Sequence, residues 1–120
     1  MSDPYVIVGV ARTRQGWFSE VARWSTSGAA PVEFLKCLTT DEARALLGSG
    51  RRASALLVDA ATPGLDRELT ADAAAFGVPT VVVSDGRVHR DWESLGCAAV
   101  LPAGFERAEL LTVLERHTRP

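Results

Sequence analysis
Residues 58–66 read VDAATPGLD: Asp59 closes an apolar run, Pro63-Gly64 supplies a turn, and a second acid, Asp66, follows. An aspartate at the end of a buried strand serves either chemistry or local hydrogen bonding. The choice depends on which partners the rest of the chain brings to it.

The run that ends here, ASALLVDA (53–60), has three counterparts: YVIVGV (5–10), VPTVVVS (78–84) and AAVLPA (98–103). Continuous apolar, β-branched runs without polar alternation belong to strands covered on both faces, as in a parallel sheet. VEFLKCL (32–38), broken by Glu33 and Lys36, suits a more exposed edge strand. Helical segments lie between. Residues 16–26 put Trp17, Val21 and Trp24 on one face, which marks both tryptophans as core. Residues 39–48 open with a Thr39–Glu42 capping box and end at Gly48. Residues 66–76 stop before Gly77, with Pro79 soon after. The spacing of Trp92 and Leu95 predicts a short helix near 90–95, and 105–117 carries Leu110, Leu111 and Leu114 on one face. Strand and helix therefore alternate five times. Right-handed crossovers turn such an α/β chain, (βα)5, into a doubly wound parallel sheet.

The chain has 120 residues and a net charge of −2, so no basic footprint for nucleic acid or an anionic membrane surface is present. The start, MSDPYVIVGVART, lacks the basic segment of a signal peptide. No run reaches the ~20 apolar residues of a spanning helix. Cys37 and Cys97 sit in apolar stretches and read as small buried hydrophobes in a reducing compartment, so the expected location is the cytoplasm. His89 and His117 have no ligands at metal-binding spacing. No Walker sequence, dinucleotide fingerprint or nucleophile elbow occurs. Neither a metal nor a cofactor is expected.

Taken together, the (βα)5 pattern, the Asp59…Pro63-Gly64-Leu65-Asp66 spacing, VVVS (81–84) and LGCAAVLPAGF (95–105) resemble a response-regulator receiver domain. The resemblance spans residues 1–120 as one domain. It implies a flavodoxin-like (CheY-like) sheet of order 2-1-3-4-5, with Asp59 at the phosphoacceptor position and Ser84 at the switch position. It also implies an acidic pair near Gly9 and Val10 to hold Mg²⁺, and a lysine near Ala103. Both would neutralise charge on a transferring phosphoryl group.

Those partners are absent from the sequence. No Asp or Glu occurs between Asp3 and Glu20, the family's Lys-Pro is here Ala103-Gly104, and the only lysine, Lys36, lies within strand 2. The chain thus resembles a degenerate receiver, a non-catalytic module for protein interaction, dimerisation or localisation. Similar domains form the N-terminal parts of MinD/ParA-like ATPases of pilus assembly and septum-site determination, so a downstream domain beyond Pro120 is expected. The alternative is a genuine two-component receiver phosphorylated on Asp59. A third reading places a small molecule at the carboxyl ends of strands 1 and 3.

For Asp59 itself, hydrogen bonds to loop amides or pairing with Arg12 or Arg14 is expected; Ser84 reads as an acceptor for turn amides. A cation shared by Asp59 and Asp85 lacks a third ligand. The resemblance makes the helix 4–strand 5–helix 5 face the expected site for a partner or second copy, with Trp92, Arg90, Leu95 and Arg107 as candidates. For Trp92 the competing reading is packing onto the last helix.

Overall fold
A computed structural model describes residues 4–11 and 16–118. Among them β1 (Tyr5–Val10), α1 (Gly16–Ser27), β2 (Val32–Cys37), α2 (Thr40–Gly48), β3 (Ala55–Asp59), α3 (Arg67–Ala75), β4 (Thr80–Ser84), β5 (Ala99–Pro102) and α4 (Arg107–His117) follow in order. All strands are parallel in the order β2-β1-β3-β4-β5. This is the expected flavodoxin-like topology.

Strand pleating sends alternate residues to opposite faces. Ile7, Ala55, Leu57, Val81, Val83 and Leu101 face a layer formed by α1 and α4, where Trp17, Phe18, Val21, Leu110 and Leu114 are buried. Val8, Val10, Leu56, Val58 and Val82 face the other layer, with Ala43 and Leu47 of α2 and Leu69 and Ala73 of α3. The three central strands are buried on both faces, which is why their sequences lack alternation. β2 lies at one edge, and its exposed Lys36 and half-buried Glu33 account for the broken pattern there.

The helix starts follow from capping chemistry. Thr39 Oγ1 accepts from the Glu42 amide at the start of α2, and Asp66 Oδ1 accepts from the Leu69 amide at 2.9 Å at the start of α3. Asp66, the second acid of VDAATPGLD, is therefore a helix cap. α3 ends at Ala75 with Phe76 as its C-cap, and Gly77 follows with φ +74°, a left-handed conformation that favours glycine.

One expected element does not form. Residues 92–96 make hydrogen-bonded turns in place of a helix near 90–95. Asp91 Oδ1 accepts from the Ser94 amide, and Leu95 N–H reaches Asp91 O, but Gly96 then adopts φ +92° and stops propagation. One turn gains too few hydrogen bonds to offset the entropy of ordering it as a helix. The segment is instead held by α3: Arg67 Nε donates to Ser94 O, and Thr70 Oγ1 lies 2.5 Å from Leu95 O. Four α-helices, not five, thus surround the sheet among the described residues.

Trp92 is half-buried in this segment and packs against the α2/α3 layer. That corrects the competing reading of Trp92, packing onto the last helix. The last helix, α4, contributes Leu110 and Leu114 to the opposite face of the sheet.

Candidate functional site
Parallel order directs the carboxyl ends of β1, β3, β4 and β5 to one rim, which places Asp59, Ser84 and Ala103 together. Asp59 is registered beside Val83 and is half-buried. Its pleat direction matches that of Leu57, so the carboxylate turns toward the α1/α4 layer. There the buried Trp17 donates its indole N–H to Asp59 Oδ1 at 3.0 Å. Asp59 Oδ2 accepts from the Ala61 amide at 3.1 Å. Both carboxylate oxygens therefore have donors, one from a loop amide as expected and one from a tryptophan read as plain core. Arg12 and Arg14, the other expected partners, lie outside the described residues.

Trp17 is fixed by more than this bond. Its ring meets Phe18 edge-on at 5.5 Å between centroids and Phe105 at 6.4 Å. Phe105, the last residue of the motif-like stretch 95–105, also meets Trp24 at 6.0 Å. An aromatic cluster thus ties the start of α1 to the loop after β5 and holds the indole donor on Asp59.

The positions where the resemblance implies an acidic pair are occupied by core. Phe34 of β2 is registered with Ile7, and its ring leans along β1 over Gly9, where an added Cβ would overlap it. Val10 is fully buried among apolar residues of the α2/α3 layer. A carboxylate at Gly9 would displace an aromatic ring, and one at Val10 would be buried among the described apolar residues of that layer, which is strongly unfavourable. Mg²⁺ demands near-octahedral oxygen ligation. Among the described residues no group of three acidic, His or Cys side chains could hold a metal ion. The donor set does not fit this ion.

Ser84 Oγ accepts from the Gly86 amide at 3.1 Å, the turn-satisfying role expected for it. Asp85 Oδ1 accepts from the Arg87 amide at 2.9 Å, so its carboxylate closes its own turn. Ala103 donates its amide to Ser84 O at 3.0 Å and brings no charge to the rim.

The interface candidates fall into two groups. Arg90 Nη1 donates to Leu65 O at 2.8 Å, and its guanidinium lies 5.6 Å from the Trp92 ring centre. Leu95 is half-buried in the same segment. Arg107 lies across the sheet at the start of α4, with Nη1 donating to Ala29 O at 3.0 Å. Between the groups runs the β5 edge, where Val100 is 47% exposed.

No family model matches the chain, and no curated protein matches it. The solved structures do. The signal receiver domain of an HD domain-containing protein from Pseudomonas fluorescens superposes with a TM-score of 0.75 at 16% identity, covering 95% of this chain and 94% of that one. A putative pilus assembly-related protein from Burkholderia pseudomallei gives 0.73 at 14% identity, over 98% and 91%. A CheY-like receiver domain protein from Methanospirillum hungatei gives 0.69 at 16% identity, over 94% and 92%. At such identities the likeness establishes the fold, which is that of CheY-like receiver domains.

Proposed function
We propose that this chain is a signalling or localisation module that has kept the receiver fold and given up phosphoryl transfer at Asp59. The observation that carries this reading is the hydrogen bonding of Asp59, whose two oxygens are occupied by Trp17 and Ala61. The filled positions at Gly9 and Val10 and the neutral Ala103 support it. Phosphoryl transfer needs positive charge beside the transferring group, and the described donors to Asp59, the Trp17 indole and the Ala61 amide, are both neutral. The module acts through binding, not catalysis.

Its partner, a second copy or another protein, docks across the β5 edge, with the 90–97 segment on one side and α4 on the other. Exposed Val100 supports this face. The fold shared with a pilus assembly-related protein agrees with a placement role beside a MinD/ParA-like ATPase domain. In that setting the module works in the cytoplasm.

Titration with beryllofluoride and Mg²⁺, followed by amide NMR, tests the reading. Unchanged signals around Asp59 are expected. A saturable shift there, lost in Asp59→Asn, establishes instead a phosphoacceptor receiver.

A further inference from the structure
At the end of the sheet opposite Asp59, the loops leading into β3 and β4 and the last turn of α4 enclose a cleft of about 580 Å³. That volume lies within the range of small-molecule sites. Arg51, Arg52 and His117 line it, and among the described residues no acidic one does. Arg51 is anchored from outside by Glu33 at 2.6 Å, while Arg52 forms no ion pair among the described residues.

Helix dipoles offer one explanation for basic residues here, because α2, α3 and α4 all end at this side. The chain caps those ends by other means. Ser49 donates both its amide and its hydroxyl to Leu46 O, the Gly77 amide reaches Ala74 O, and Thr118 donates to Leu114 O. No described hydrogen bond runs from Arg51, Arg52 or His117 to these carbonyls.

A second feature of the cleft is apolar. Phe76 lies in its lining and is 58% exposed, a large aromatic side chain that the core does not absorb. Beside it, Gly77 leaves open space, with no heavy atom beyond its own chain neighbours within 4 Å of where a Cβ would sit. Guanidinium groups bind phosphoryl oxygens through paired charge-assisted hydrogen bonds. An exposed aromatic ring offers a stacking face to a planar base.

We propose that this cleft binds a phosphorylated ligand carrying a planar base, the chemistry of a nucleotide, with the arginines on phosphate and Phe76 on the base. The site is at the far end of the sheet from Asp59 and stands or falls independently of the reading of that residue.

Amide NMR titrations of the whole chain with ADP, GDP, inorganic phosphate and adenosine test it. ADP or GDP should shift residues 50–54 and 76–78 saturably. Arg52→Ala should weaken that binding roughly tenfold or more, as expected for a lost charged hydrogen bond. Phe76→Ala should weaken the nucleotide and leave inorganic phosphate unaffected. Both side chains are exposed, and a far-UV spectrum checks folding; Arg51→Gln replaces Arg52→Ala if that variant does not fold. Three results overturn the proposal: no saturable shift with either nucleotide, nucleotide binding unchanged in the arginine variant, or adenosine or phosphate alone binding as tightly as the nucleotide.

Discussion
The indole N–H of Trp17 donates to Asp59 Oδ1 at 3.0 Å, so the first turn of α1 is tied to the carboxyl end of β3 at the rim of the sheet. Trp17→Phe keeps the ring packing and removes only the donor. Leaving a half-buried carboxylate oxygen unsatisfied should cost about 1–3 kcal/mol in urea unfolding. Combined with Asp59→Ala, the losses should be less than additive, with a coupling of roughly 0.5–3 kcal/mol. Strict additivity removes the bond from the account.

Phe34 over Gly9 predicts a steric interaction that can be tested separately. Gly9→Ala should destabilise by roughly 1–3 kcal/mol, the usual penalty for overpacking a filled core. In a Phe34→Leu background the added methyl should be tolerated better. An equal penalty in both backgrounds would show that the ring is not what excludes a side chain at Gly9.

Cys37 is buried at the end of β2, and burial, with a smaller contribution from Glu42, pushes its thiol up to about 11 from an ordinary value of 9.0. A raised folded value means that the native chain holds this proton more tightly than the unfolded chain does. Its stabilising effect is complete below pH 9 and is lost as pH rises toward 11. Cys37→Ala should flatten that alkaline decline, followed as the unfolding midpoint against pH. The native thiol should also react with a disulfide reagent at pH 8 far more slowly than the unfolded one.

The β5 edge is tested by Val100→Glu, because Val100 is exposed whereas Trp92 supports the α2/α3 layer. If two copies meet there, sedimentation should show dimer loss with little change in stability. An unaltered association state places the partner surface elsewhere.

Several elements were legible in the sequence because their determinants are local. The β-branched runs, the Thr39–Glu42 cap, the stop at Gly77 and the broken alternation of VEFLKC each reflect interactions within a few residues. Two features were missed. Trp17 sat at helical spacing with Val21 and Trp24, a pattern satisfied by packing, so nothing marked its N–H as a partner for Asp59. The 90–95 helix was read from Trp92 and Leu95, but Gly96 and the hold of Arg67 and Thr70 on Ser94 and Leu95 prevailed.

By itself the sequence determined the alternation of strand and helix, the parallel sheet, and the lack of an acidic pair and a lysine around VDAATPGLD. These are matters of composition and short-range spacing. Only the tertiary structure decided what holds Asp59, what fills the space over Gly9, and which layer receives Trp92. Each depends on contacts between residues far apart in the chain, whose meeting is set by strand register and helix packing.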